Sequence, residues 1–164
     1  MRSEQDGFTY LGILFALAIS AVAASATLVL LSVEEKRERE RALLFVGNQY
    51  RAAVASYYES SRDEPRQYPR HLNELLEDRR TTPPQRHLRQ AYGDPVSRQE
   101  FSLIRMPDGG IVGVRSLSTA PPLQRNNFDV DNEDFKGRAR YMDWRFVYVG
   151  KRRRDQPAVM LPMP

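Results

Sequence analysis

The sequence predicts an α+β fold: one long N-terminal helix, apolar all round in its first half and amphipathic in its second, packed on a small antiparallel sheet of about three strands. Three observations carry this expectation. An uncharged run from Phe8 to Val33 contains no proline. Apolar residues then recur at helical spacing as far as Tyr58. Beyond them, two alternating runs flank the hairpin-type turn sequence Pro107-Asp108-Gly109-Gly110, and a third follows at Trp144–Val149.

A chain of 164 residues suits one small domain with an appendage. Lys and Arg number 25 against 21 Asp and Glu, a net charge of +4. The excess is spread along the chain, so it permits contact with nucleic acid or anionic lipid without requiring either. The mean hydropathy of −0.59 averages two unlike parts, because the strongest hydrophobicity is confined to the first fifth of the chain. There is no cysteine. Disulfides, thiolate metal sites and cysteine nucleophiles are thereby excluded.

As a helix, Phe8–Val33 would be roughly 39 Å long at about 1.5 Å per residue, enough to cross a hydrocarbon core of about 30 Å with some tilt. A soluble domain of this size has no need of a helix apolar on every face. Three readings fit the segment. An ordinary secretory signal would cleave at Ala24-Ser25-Ala26. Against it, Glu4 and Asp6 oppose the single Arg2, and the apolar run continues past that site. The second reading is a plain single-pass anchor. The third rests on Gly7-Phe8-Thr9, which stands at the junction between a short polar leader, Met1–Asp6, and the apolar run.

That junction resembles the type III signal of type IV pilins and type II secretion pseudopilins: a charged leader ending in Gly, then Phe-Thr and an uninterrupted apolar helix. The resemblance implies cleavage after Gly7 by a prepilin peptidase and N-methylation of Phe8. It also implies a lollipop-shaped molecule, inserted once in the bacterial inner membrane with its N-terminus cytoplasmic and its head periplasmic. Its partners would be other pilin-like subunits, met through the N-terminal helix, together with the inner-membrane assembly platform. Most members of the family carry Glu at the fifth mature position, where this chain has Gly12. Some minor pseudopilins lack it too, which directs the expectation to a minor or specialised pseudopilin of a type II secretion system. Alternatives are a minor pilin of a type IV pilus or DNA-uptake machine, and a membrane-anchored periplasmic binding domain that never polymerises.

Glu34–Arg41 holds four acids and four bases and reads as a solvated stretch of helix, with pairs such as Glu35–Arg39 and Glu38–Arg41 worth about 0.2–0.5 kcal/mol each. Leu43, Val46, Tyr50, Val54 and Tyr57 then form a stripe widened by Leu44, Ala53 and Tyr58. The tyrosines read as core. One helix from Phe8 to about Ser60 would be roughly 80 Å long. The expected divisions are a leader (1–7), a membrane or filament-core helix (8–33), its amphipathic continuation (34–60), a globular head (61–155) and a tail (156–164).

Within the head, polar residues and Pro65 break the helix, and Tyr68-Pro69 leads into a short helix with Leu72, Leu75 and Leu76 facing inward. The Tyr-Pro and spaced leucines again resemble pseudopilins. Arg79, Arg80, Arg86 and Arg89, broken by Pro83-Pro84, read as a solvated loop or subunit contact, since no aromatic platform interleaves them for nucleic acid. His71 and His87 read as surface or partly buried residues away from any carboxylate ligand set. Strands are expected at 101–106, 111–117 and 144–149, the last apolar on one face with Arg145 interrupting. Asn127–Asp134 places oxygen ligands closely, making Asp129, Asp131 and Asp134 the calcium candidates, although the Gly and terminal Glu of an EF-hand loop are missing. No other cofactor is expected. No serine elbow, phosphate loop, catalytic carboxylate pair or zinc signature occurs, so no enzymatic activity is expected.

Overall fold

A 56-residue helix, α1 (Glu4–Glu59), opens the chain. The computed structural model describes residues 4–61 and 65–150, with the side chains of 4–9 and 22–31 outside the described set. The expected tail, 156–164, lies outside the described residues, as does the basic run 151–154. Two compact units divide the chain, Met1–Glu38 and Arg39–Pro164. Among the described residues no helix is long and apolar enough to cross a membrane. The expected span from Phe8 to Val33 includes twelve residues whose side chains are outside that set.

In the second unit, α1 buries Leu43, Val46, Tyr50, Ala53, Val54 and Tyr57, the stripe its spacing predicts, with Leu44 and Tyr58 half-buried at its margins. Burial of a large apolar side chain is worth roughly 1.5–3 kcal/mol, so packing holds this half of the helix more than propensity does. The helix stops as the polar Ser60-Ser61 pair arrives: Ser60 Oγ donates to the Tyr57 carbonyl, and Ser61 N–H to that of Tyr58. Next, α2 (Asn73–Leu76) buries Leu75, with Leu72 and Leu76 packed on the core. The Glu74 carboxylate reaches back to accept the backbone N–H groups of Arg70 and His71, closing the helix start much as a capping box does.

The sheet is a three-stranded antiparallel meander, β1 (Ser102–Arg105), β2 (Ile111–Arg115) and β3 (Arg145–Val147). All three strands are shorter than expected but lie where the pattern puts them. The hairpin turn forms with Gly109 at φ 87° and its N–H donating to Met106 O, a conformation that favours glycine. Val114 stands opposite both Leu103 and Phe146. The Phe146 ring lies so near α1 that a Cβ on Gly47 would sit 2.5 Å from its carbons. Helix and sheet therefore meet through a bare backbone at Gly47.

Between β2 and β3, where sequence gives only a polar stretch, two 3₁₀ turns (Val130–Phe135 and Tyr141–Asp143) bring Phe135 and Tyr141 inward. Phe135 stacks on Trp144 at 5.3 Å, while Tyr141 and Phe128 meet the same indole edge-on at 5.1 and 5.4 Å. The solvated reading of Glu34–Arg41 fails at its seventh residue. Glu40 is buried, and its carboxylate accepts Leu123 N–H at 2.7 Å, Gln124 N–H at 2.9 Å and Tyr141 O–H at 2.8 Å. Charge patterning along a helix cannot reveal this, because the three donors arrive from 83 to 101 residues away. Burial and the neighbouring Glu40 carboxylate push the Tyr141 hydroxyl's pKa well above its ordinary value.

Candidate functional site

In the first unit, the large apolar side chains that are described lie at the surface of the helix. Tyr10, Leu11, Ile13, Leu14, Phe15, Leu17 and Ile19 are all exposed, from 45% at Leu14 to 71% at Phe15. At about 100° per residue these positions cover about two thirds of the helix circumference. Just beyond them, Ser20 turns its hydroxyl back to donate to the Ala16 carbonyl at 2.8 Å. Gly12 has open space about it: a Cβ there would meet nothing within 4 Å. Gly7 and Phe8 lie within the helical backbone of α1, but the Phe8 side chain is outside the described set.

A second constellation sits where the end of α1 meets the segment after α2. Asp78 and Gln85 exchange backbone hydrogen bonds in an isolated bridge, which folds the intervening loop back and sets His87 beside Asp78. The His87 side chain is fully buried. Its Nε2 lies 3.2 Å from Asp78 Oδ2 and its Nδ1 2.7 Å from Ser56 Oγ on α1. Arg80 clamps the same carboxylate through Nε and Nη2 (2.9 and 2.6 Å). It also donates to the Tyr57 carbonyl and lies 3.5 Å over the Tyr57 ring. The Tyr57 hydroxyl donates to Glu74 at 2.7 Å.

One sequence expectation is corrected here: the His87 side chain lies against the buried Asp78 carboxylate rather than away from carboxylates. Arg80, still exposed, pairs with that same carboxylate. The sequence carries no signal for either, because the bridge at Asp78–Gln85 has no periodicity and Ser56 is met only through the tertiary fold. Arg79, Arg86 and Arg89 are exposed as well, Arg79 beside Glu77 at 3.1 Å.

Serine, histidine and aspartate in a line have the composition of a hydrolytic triad, but not its layout. Ser56 is inside a helix whose backbone N–H groups are committed to carbonyls one turn back. The imidazole is closed to solvent, and the carboxylate is already bound by a guanidinium. What the line does is fasten α1 to the loop. Hydrogen bonds from Arg80, with a smaller one from His87, hold the Asp78 carboxyl at a pKa of about 2, against burial that pushes the other way. Since the folded carboxyl gives up its proton more readily than the unfolded one at about 3.9, its contribution is present above about pH 4 and is lost as pH falls toward 2. Roughly two units correspond to about 2.5 kcal/mol. Denaturant titrations between pH 2 and 7 should show that loss, and Asp78→Asn should flatten it while lowering stability at neutral pH.

The calcium candidates are not drawn together. Asp129, Asp131 and Asp134 are exposed, and the Asp131 and Asp134 carbonyls are taken by Arg51 and Arg138. No group of three His, Asp or Glu side chains is placed to hold a metal among the described residues. Comparison of the chain with family models, with curated proteins and with solved structures finds no match.

Proposed function

We infer that the chain is a pilin-like structural subunit, built on the lollipop plan of a spine helix carrying a head. More particularly, it is a minor or specialised pseudopilin of a type II secretion system, anchored in the bacterial inner membrane with its head in the periplasm. The observation that carries this reading is the set of seven large apolar side chains exposed around about two thirds of α1 between Tyr10 and Ile19. Water-soluble proteins rarely leave so continuous an apolar surface uncovered. Lipid covers it before assembly, and the apolar helices of neighbouring subunits cover it afterwards.

The Gly7-Phe8-Thr9 junction distinguishes a filament subunit from a simple anchor, since it supplies the cut that a prepilin peptidase makes. The assembly platform then draws the trimmed subunit into the filament. Gly12 leaves no carboxylate to pair with a neighbour's N-terminal amine, which favours a specialised position over a bulk one. The work is mechanical, and no chemistry is asked of Ser56, His87 and Asp78 beyond fastening the head.

Gly7→Ala should leave the precursor untrimmed in cells with an active prepilin peptidase, visible as a mass about seven residues heavier than the mature form. Normal trimming of that variant would count against the reading.

A further inference from the structure

Arg145, which interrupts the apolar pattern of β3, stands directly opposite Arg115 on β2. Tyr148 N–H donates to Val112 O, so hydrogen-bonded positions fall at Val112 and Val114. Arg115–Arg145 is therefore a non-hydrogen-bonded pair, the kind in which side chains approach most closely. Both point away from Val114 and Phe146, on the sheet face opposite α1, in one row with Ser102. Like charges placed directly across strands repel. Here no carboxylate relieves them among the described residues: Arg115 makes only a long 3.4 Å bond to Ser102 Oγ, and Arg145 has no ion pair. Both are half-buried, and half-buried Ile104 and Val147 lie beside them on the same face.

The complementary surface is present on the same chain. Asp129, Asp131, Glu133 and Asp134 are exposed, and none of their carboxylates has a hydrogen bond or ion pair among the described residues. Arg51 and Arg138 donate hydrogen bonds to backbone carbonyls of this segment, and Arg51 meets the Asp131 and Asp134 charges only through space. Val130, in its midst, is 90% exposed.

We propose that the Arg115–Arg145 pair receives the acidic segment Asp129–Asp134 of a second copy of the chain, with Val130 of that copy set against Val147. The contact is heterologous: each copy offers a different surface, so one copy holds another without two-fold symmetry. It rests on the assembly reading above for holding the copies side by side. Exposed ion pairs are individually weak, and it is the tethering of apolar helices that raises the heads' effective concentration enough for such pairs to act.

The absence of native cysteine makes the test clean. Differently tagged full-length Val130→Cys and Val147→Cys chains are co-expressed in a host with a prepilin peptidase and assembly platform, and their membranes are oxidised. Expected is a mixed disulfide dimer at least tenfold above that formed by either variant alone, since the bond forms only when the two Cα atoms come within about 7 Å. Adding Arg115→Glu and Arg145→Glu to the Val147→Cys chain should abolish it. Adding Asp131→Arg and Asp134→Arg to the Val130→Cys chain should then restore it, which shows that the reversed variants still fold. A mixed dimer no stronger than the single variants give, or one indifferent to the arginine reversals, overturns the proposal. If Gly7 trimming is normal in those cells, that failure leaves the subunit reading standing. Absent trimming strikes the subunit reading instead.

Discussion

Glu40→Ala is expected to cost the head about 3 kcal/mol and to lower its thermal midpoint by about 10 °C. The reason is the asymmetry of a buried polar network. The carboxylate accepts two backbone N–H groups, from Leu123 and Gln124, and the Tyr141 hydroxyl. Removing it leaves the buried Tyr141 hydroxyl and two part-buried N–H groups to find partners, at about 1–3 kcal/mol for each that fails. Tyr141→Phe removes one donor and keeps the acceptor, so a loss of about 1 kcal/mol is expected. Glu40→Gln should fall between the two, because one amide oxygen remains. Thermal unfolding of the full chain in detergent, followed by near-ultraviolet circular dichroism, ranks the three. Equal midpoints for Glu40→Ala and the parent would mean that the carboxylate is solvated, as the charge pattern alone implies.

Trp144→Ala should be at least as damaging, at about 3–5 kcal/mol. Trp144 is fully buried and is the hub that Phe128, Phe135 and Tyr141 all touch. Truncation opens a cavity among rings that are held by the two 3₁₀ turns and cannot easily collapse. Trp144→Phe should cost much less than its lost volume implies, because the indole N–H is buried with no partner and its removal forfeits no hydrogen bond. Denaturant midpoints for the two variants check this. If Trp144→Phe proves as harmful as Trp144→Ala, the N–H has a partner in solution, such as an ordered water.

What could be read from the sequence was what repeats locally. The stripe from Leu43 to Tyr57 is a helical period, and it is buried as that period requires. Pro107-Asp108-Gly109-Gly110 contains the glycine its turn needs, and the flanking alternation fixes which side of β2 and β3 faces α1.

The rest is tertiary. The burial of Glu40 depends on donors 83 and more residues away, and nothing in Glu34–Arg41 separates it from its solvated neighbours. His87 becomes internal because Asp78 and Gln85 bridge, a contact with no compositional trace. The polar stretch from Ser118 to Met142 conceals the burial of Phe135 and Tyr141, since short 3₁₀ turns carry no amphipathic period long enough to recognise. At the N-terminal end the balance reverses. The proposed cut after Gly7 is legible only as a junction in the sequence, while the exposure of Tyr10–Ile19 gives that junction a physical reason to matter.

The N-terminus of the mature protein, isolated from cells with an active prepilin peptidase and read by mass spectrometry, bears on this most directly. A chain that begins at N-methylated Phe8 is expected. An intact Met1 in those cells would contradict the assignment of the apolar helix to a pilin-like assembly.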